Sequence, residues 1–153
     1  MGTNLAERFS SMPDGVCAAI FDLDGVLTST SARHEQSWRD AAEQFGFPVT
    51  SESLKATRSV PRATSLTALL EHAGVHLAPG TRDAVMAFKN ARYKELIANL
   101  KPGDAFPGAR DALTRCRELG LRVGVASPSM NAREVLERLG LIEMIDHVAD
   151  PGL

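Results

Sequence analysis

The chain has 153 residues, of which 44% are hydrophobic and 24% are charged, and its formal net charge at pH 7 is −2. This length fits one domain, or a small core with a smaller insert. The near-neutral charge, with no basic run, argues against nucleic acid or an anionic membrane as a partner. The sequence has neither a signal-peptide pattern nor a stretch of transmembrane length, so we expect a cytoplasmic protein.

The two cysteines, Cys17 and Cys116, lie far apart in the sequence, and each belongs to an apolar periodic stretch. This placement favours reduced thiols that serve as small core residues. We therefore expect neither a disulfide nor a metal-binding cysteine pair.

The first predicted strand follows a polar lead-in, 1–15, for which we expect a flexible conformation. Residues 16–21 form a continuous apolar run that ends at Asp22, and this length is typical of a strand buried on both faces of a parallel sheet. Apolar residues at helical spacing then predict three helices, at about Ser31–Phe45, Leu66–Ala73 and Thr81–Leu100. Residues 31–100 should therefore form an all-helical insert.

The rest of the chain alternates helices and strands after turn-forming residues at 101–108. The pattern predicts a helix from Ala109 to Gly120, a buried strand at 121–126, a helix at about Ala132–Leu139 and a strand at 147–149. This order implies parallel strands joined by right-handed crossovers. The predicted fold class is α/β: an incomplete, three-stranded, Rossmann-like core (16–30 and 101–153) with an inserted α-helical domain (31–100).

Polar side chains follow the first two predicted strands at the point where each strand ends. Asp22 and Asp24 follow the first strand, and Ser127 and Ser129 follow the second. In open parallel sheets, ligands bind beyond the carboxyl ends of the strands. The sequence therefore predicts a ligand site at this edge of the sheet.

Asp22 and Asp24 are two residues apart, so in an extended backbone their carboxylates point the same way while Leu23 turns into the core. A divalent cation or a shared proton would relieve their repulsion. Mg²⁺ takes oxygen ligands and bridges to phosphate, Asp22 can attack a phosphoryl group, and Asp24 can move a proton. The alternative is a hairpin turn at Asp24-Gly25 with no chemistry.

Ser127, Ser129 and Asn131 lie between a predicted strand and a predicted helix. Their hydroxyl and amide groups, with the free N–H groups of the helix start, predict a phosphate cradle. For Ser129 and Asn131 the alternative is simple capping of the helix. For Ser127, at the strand end, phosphate contact is favoured.

Two segments resemble motifs of a known family. Residues 21–28, FDLDGVLT, resemble the first motif of the haloacid dehalogenase superfamily, and residues 125–131, VASPSMN, resemble its second motif in the β-phosphoglucomutase-like form. The likeness extends over 16–153. It implies that Asp22 becomes an aspartyl-phosphate, that Asp24 is the acid/base and that Ser127 holds the transferred phosphoryl group. It also implies that Mg²⁺ binds the Asp22 carboxylate and the Asp24 backbone carbonyl.

The helical insert resembles the cap domain of this family, which closes over the site and excludes water. Thr30, His34 and Trp38 resemble a T-x-x-x-H-x-x-x-W stretch of the β-phosphoglucomutase cap, in which the histidine supports the acid/base aspartate and the tryptophan belongs to the substrate site. A solvent-facing helix histidine is the alternative for His34.

Further cap positions follow from the same resemblance. Arg62 resembles the arginine that grips the non-transferring phosphate of the substrate, a task that suits its bidentate guanidinium. Lys89 and Asn90, ahead of Tyr93, resemble cap residues near the sugar. The alternatives are an exposed arginine at a helix start and a solvated lysine.

The sequence also departs from the family pattern. Ser29 stands where an aspartate is frequent, Pro128 lies inside the phosphate motif, and Met130 replaces a lysine found in close relatives. The resemblance implies that a third-motif lysine, a fourth-motif acidic pair and two further strands would lie beyond Leu153.

Taken together, the resemblance implies a Mg²⁺-dependent enzyme that transfers phosphate between the C1 and C6 hydroxyls of a hexose, with a small phosphorylated sugar as substrate. One alternative is a small sugar-phosphate phosphatase. A second is a truncated, catalytically impaired binding module, motivated by the missing metal ligands and by an apolar first strand at an unpaired sheet edge.

Overall fold

The computed structural model describes residues 15–151, so the predicted flexible lead-in lies outside the described residues except for Gly15. Nine helices and strands are present in this range, with short 3₁₀ turns at Pro102–Asp104 and Ile142–Met144. In chain order they are β1 (Ala18–Asp22), α1 (Ser31–Phe45), α2 (Ser51–Lys55), α3 (Arg62–Ala73), α4 (Pro79–Ile97), α5 (Ala109–Glu118), β2 (Arg122–Ala126), α6 (Ala132–Arg138) and β3 (His147–Ala149).

The three strands form one parallel sheet in the order β1-β2-β3. In its register Asp22 lies beside Ala126, and Ala126 lies beside Ala149. All three carboxyl ends therefore meet at one edge of the sheet. The predicted parallel, Rossmann-like α/β fold is confirmed.

The prediction that β1 is buried on both faces was wrong. Ala19 and Phe21 are partly buried and lie beside the buried Val123 and Val125 of β2, whereas the Ile20 side of β1 is open, with Ile20 75% exposed. The connection from β1 to β2 and the connection from β2 to β3 run in the same direction across the sheet. Because such connections are right-handed, α5 and α6 lie on the same face. Only that face is covered by the described residues.

The insert at 31–100 contains only helices, as predicted, and α1 has the predicted bounds. Helix α1 ends at Gly46, whose φ of 71° is readily adopted by glycine. Helix α2 was not predicted; a capping box between Thr50 and Ser53 stabilises its start. Helix α3 begins at Arg62, contains the predicted apolar stripe from Leu66 to Ala73 and ends at Gly74 as predicted. None of the helices described is both long and apolar enough to cross a membrane.

Two hydrophobic clusters fill the described part of the chain, and α4 contributes to both. The first cluster joins the covered face of the sheet to α5, α6 and the end of α4, where Tyr93 and Ile97 are buried. The second lies among α1 to α4 and includes Trp38 and Val85. The long helix α4 thus ties the helical segment to the sheet.

The cysteines were predicted to be core residues, and this is wrong for one of them. Both thiols are free; Cys116 is buried on α5, but Cys17 is exposed. Cys17 lies just before β1, where its carbonyl accepts a hydrogen bond from the N–H of Arg122, and this strand is only partly covered.

Candidate functional site

A cavity of about 560 Å³ lies where the carboxyl ends of the strands face the helical segment. Seven of the side chains that we singled out in the sequence line it, namely Asp22, Asp24, His34, Trp38, Arg62, Lys89 and Ser129. Ser127 and Asn131 are not among the residues that line it. Among these seven side chains, residues as far apart in the sequence as Asp22 and Ser129 share one cavity.

Asp22 and Asp24 flank a buried residue at the end of β1. Leu23 is 1% exposed, while Asp22 and Asp24 both line the cavity, which agrees with the predicted alternation. The chain does turn after Asp24, since the N–H of Gly25 donates to the carbonyl of Thr28 over 2.7 Å. This turn does not make a hairpin, because β1 pairs with β2 in parallel and the chain continues into α1.

Thr30 holds the carboxylate of Asp24. Its backbone N–H and its hydroxyl donate to the same oxygen, Oδ1, over 2.8 and 2.5 Å. The phenol of Tyr93 in turn donates to the Thr30 hydroxyl over 3.1 Å. No hydrogen bond among the described residues uses Oδ2 of Asp24, so this oxygen is left for a proton or a ligand. Tyr93 was not predicted to take part in this network.

The half-buried His34 and the buried Lys89 form a hydrogen-bonded pair, and both residues line the cavity. The Lys89 ammonium has only donors, so it donates to Nδ1 of His34, over 2.9 Å, and the imidazole stacks on Tyr93 with ring centroids 3.9 Å apart. Burial, followed by the charges of Lys89 and Arg62, lowers the pKa of His34 to about 3. His34 is therefore neutral at pH 7, and the alternative of a solvent-facing helix histidine is wrong.

Lys89 is 3% exposed, so the alternative of a solvated lysine is also wrong. Burial and the charge of Arg62 lower the pKa of Lys89 to about 7, and the charge of Asp24 acts in the opposite direction. Its ammonium lies 4.7 Å from the ring centroid of Tyr93 and 5.4 Å from that of Trp38. The faces of these two rings stabilise the Lys89 ammonium, whose charge is only partly offset by the carboxylate of Asp24.

Arg62 is the first residue of α3, and burial lowers its pKa from the ordinary value. Its guanidinium donates to Oδ1 of Asn90 over 2.7 Å, and the side-chain amide of Asn131 donates to the same oxygen over 2.9 Å. Arg62 is therefore not the freely exposed helix-start arginine of the alternative interpretation.

The segment between β2 and α6 brings Ser127, Ser129 and Asn131 together through short-range hydrogen bonds. The N–H of Ser129 donates to the hydroxyl of Ser127, and the N–H of Asn131 donates to the hydroxyl of Ser129. Asn131 occupies the N-cap position, but its side chain makes no capping hydrogen bond and reaches Asn90 instead. Capping by the Asn131 side chain, the alternative from the sequence, is wrong.

An ion pair at the cavity wall was not predicted. Nη2 of Arg58 lies 2.7 Å from Oε1 of Glu35, and both residues line the cavity. The neighbouring Ser59 has a φ of 57°, unusual for a residue other than glycine. No spacing rule connects Arg58 to Glu35 across 23 positions, so the sequence carries no signal for this pair.

The oxygen donors at the cavity fit part of the coordination shell of a hard cation. Asp22 and Asp24 supply carboxylates, and no group of three or more histidine, cysteine, aspartate or glutamate side chains suited to a metal occurs within 15–151. Mg²⁺ usually keeps several waters and takes only one or two carboxylates plus substrate phosphate. The donor set is compatible with such an ion.

Known proteins are similar to this chain in sequence and in fold. The β-phosphoglucomutase of Bacillus subtilis is 33% identical over 136 residues, which cover 88% of this chain and 60% of that protein. The phosphorylated carbohydrates phosphatase of Thermotoga maritima is 29% identical over 134 residues, which cover 84% of this chain and 58% of that protein. The crystal structure of β-phosphoglucomutase from Clostridium difficile matches with a TM-score of 0.84 and 30% identity, covering 90% of this chain and 62% of that chain.

This chain thus spans about three fifths of the length of the relatives that it matches. The profile of a family described as haloacid dehalogenase-like hydrolase matches residues 17–152, which include both strand-end motifs and all the cavity-lining side chains up to Pro151. The match covers nearly the whole chain, and the chain belongs to the haloacid dehalogenase-like hydrolase family, within which it resembles the β-phosphoglucomutases.

Proposed function

We propose that this protein transfers phosphoryl groups on a small phosphorylated sugar, in a β-phosphoglucomutase-like conversion of a hexose 1-phosphate to the 6-phosphate in the cytoplasm. The observation that carries this proposal is that Asp22 and Asp24 line one cavity together with the basic side chains of Arg62 and Lys89. Such a cavity presents a nucleophile, a proton carrier and anion-binding groups to one ligand. Its volume of about 560 Å³ suits a sugar phosphate.

The reaction starts with Asp22 phosphorylated and has two steps. The C6 hydroxyl of the hexose 1-phosphate gives its proton to Asp24 and bonds to phosphorus as the bond from phosphorus to Asp22 breaks, which gives a hexose 1,6-bisphosphate. After the bisphosphate has reversed its orientation, Asp22 bonds to the phosphorus at C1 as the bond from phosphorus to the C1 oxygen breaks, and Asp24 returns the proton to that oxygen, which leaves the hexose 6-phosphate and phosphorylated Asp22. Ser127 and Ser129 hold the transferred phosphoryl group, and Arg62 holds the other phosphate.

The hydrogen bonds from Thr30 keep Asp24 beside the reacting oxygen, with Oδ2 available for the proton. His34 supports Asp24 indirectly. It accepts a hydrogen bond from Lys89, and the charge of Lys89 interacts with that of Asp24. Trp38 and Lys89 line the part of the cavity that receives the sugar.

Asp22, through its carboxylate, and Asp24, through its backbone carbonyl, would hold Mg²⁺, with water and phosphate as further ligands. When bound, the ion offsets the negative charge that phosphate brings to the two carboxylates. This assignment is supported by the all-oxygen donor set at the cavity wall.

We also propose that 16–30 and 101–153 form the core domain and that 31–100 form a cap that excludes water from the site. The separate hydrophobic clusters of the sheet and of the helical segment support this division. Exclusion of water favours transfer to a sugar hydroxyl over hydrolysis.

Two other functions have specific support. A sugar-phosphate phosphatase is supported by the similarity to the phosphorylated carbohydrates phosphatase of Thermotoga maritima. A catalytically impaired binding module is supported by the small number of metal donors among residues 15–151 and by the uncovered face of β1.

One experiment separates the three functions. The protein is incubated with Mg²⁺ and β-glucose 1-phosphate, with acetyl phosphate to phosphorylate Asp22 at the start, and products are followed by ³¹P NMR. Glucose 6-phosphate as the main product supports the mutase. Free phosphate released from the sugar without glucose 6-phosphate refutes the mutase and supports the phosphatase, and binding of β-glucose 1-phosphate without turnover supports the binding module.

A further inference from the structure

Asn90 connects three elements that meet beside the cavity. It lies on α4, and its side chain joins Arg62, at the start of α3, to Asn131, at the start of α6. Arg62 can only donate hydrogen bonds, so the Asn90 atom 2.7 Å from it must be the carbonyl oxygen. Asn131 must then present its amide nitrogen to the same oxygen, 2.9 Å away. The chemistry of the partners thus fixes the orientation of both amides.

Asn90 and Asn131 lie behind the cavity wall. Arg62, Ser129 and Met130 line the cavity, whereas Asn90 and Asn131 do not. Asn131 is 8% exposed, and its N–H and its side chain link it to Ser129 and Asn90 respectively. Asn90 is therefore placed to orient the groups that face the ligand.

A neutral amide has a particular advantage at this position. Burial already disfavours the charged form of Arg62, and the Arg62 charge also lowers the pKa of Lys89 and His34. The Asn90 oxygen orients the guanidinium without cancelling its charge. A carboxylate at position 90 would form a salt bridge with Arg62 and compete with any anionic ligand.

We propose that Asn90 is a positioning residue, which holds Arg62 ready for a phosphate and fixes it relative to Asn131 at the start of α6. This inference rests on the proposed function, in which Arg62 binds the non-transferring phosphate of the sugar. It adds a residue that does not touch the substrate and yet controls its affinity.

The test measures binding of glucose 6-phosphate by calorimetry to the wild type, Asn90→Ala, Arg62→Ala and the double variant. We expect Asn90→Ala to weaken binding about tenfold, the loss typical of a hydrogen bond to a charged group. In the Arg62→Ala background, Asn90→Ala should weaken binding by less than about twofold relative to Arg62→Ala alone, because the two residues act as one unit. Equal factors on both backgrounds would overturn the proposal.

Asn90→Asp separates positioning from a structural role. The carboxylate still accepts from Arg62 and Asn131, so thermal stability should be kept, but binding of glucose 6-phosphate should weaken at least about tenfold. Unchanged binding by a stable Asn90→Asp variant would contradict the proposal. The exposed Asn99, changed to Ala, is the matched control and should bind as the wild type does.

Turnover of p-nitrophenyl phosphate tests the proposed function separately, since this substrate needs Asp22 but has no second phosphate. We expect Asp22→Asn to abolish this turnover and Asn99→Ala to retain it. Turnover that persists in Asp22→Asn would overturn the proposed function, whereas unchanged glucose 6-phosphate binding in Asn90→Ala would overturn the positioning role alone.

Discussion

The hydroxyl and the backbone N–H of Thr30 both donate to one carboxylate oxygen of Asp24, over 2.5 and 2.8 Å. Thr30 is fully buried, and its hydroxyl also accepts from Tyr93 over 3.1 Å. One oxygen of Asp24 is therefore fixed, while Oδ2 takes part in no hydrogen bond among residues 15–151. This arrangement makes a specific prediction about acid/base catalysis.

Thr30→Val removes the hydroxyl but keeps the shape of the side chain and the backbone N–H. We expect kcat with β-glucose 1-phosphate to fall about tenfold. The reason is that the carboxylate of Asp24, the proposed proton carrier, loses the hydrogen bond from the Thr30 hydroxyl. KM should change little, since Thr30 is not proposed to touch the sugar. Steady-state kinetics at several pH values measure both quantities.

Thr30→Ser is the matched control, because serine retains the hydroxyl at the same position. Its kcat should stay within about threefold of the wild type. A comparable fall in kcat for both variants, or an effect confined to KM, would show that the hydroxyl does not serve Asp24 in the reaction.

The lowered pKa of the buried Lys89 predicts that the free energy of unfolding rises with pH. In the folded protein its pKa is lowered from 10.5 to about 7, mainly by burial. Between these values the unfolded chain binds more protons than the folded one, so the free energy of unfolding increases as pH rises. For this shift, about 2 kcal/mol of the increase falls between pH 7 and pH 9.

Lys89→Met removes the titrating group and keeps an unbranched side chain of similar length. Urea unfolding at pH 7 and pH 9 should therefore give a smaller increase for this variant than for the wild type. The exposed Lys55, changed to Met, should show the wild-type increase. Identical pH dependence in the wild type and Lys89→Met would contradict the buried, destabilised state of this lysine.

Metal removal should stop phosphoryl transfer, because phosphate must approach two carboxylates at the same cavity wall. We expect chelation by EDTA to abolish turnover and excess Mg²⁺ to restore it. Mg²⁺ should also raise the melting temperature of the wild type, by binding to the folded state, but not that of Asp22→Asn. Equal stabilisation of both proteins would argue against Asp22 as a metal ligand.

Much of the fold could be predicted from local patterns in the sequence. The bounds of α1 follow from the apolar spacing between Ser31 and Phe45 and from Gly46, which ends the helix. The parallel order of the strands follows from the alternation of strands and helices. The open face of β1 was missed because an apolar run gives no information about which face the helices will cover.

The position of Asp22, Asp24 and the segment 127–131 at one edge of the sheet could be predicted, because the carboxyl ends of parallel strands meet there. The burial of Lys89 and its contact with His34 could not, since charged residues on a helix usually face water. Likewise the link from Arg62 to Asn131 through Asn90 depends on how α3, α4 and α6 pack, and no periodicity encodes this.

The central claim is that Asp22 receives the phosphoryl group, and trapping of the acyl phosphate tests it most directly. The protein is mixed with acetyl phosphate and Mg²⁺, reduced with borohydride and digested, and the peptides are analysed by mass spectrometry. Borohydride converts an aspartyl-phosphate to homoserine, which we expect at position 22 and not in the Asp22→Asn variant. Homoserine at another aspartate, or at none, in a protein that turns over sugar phosphate would contradict the account.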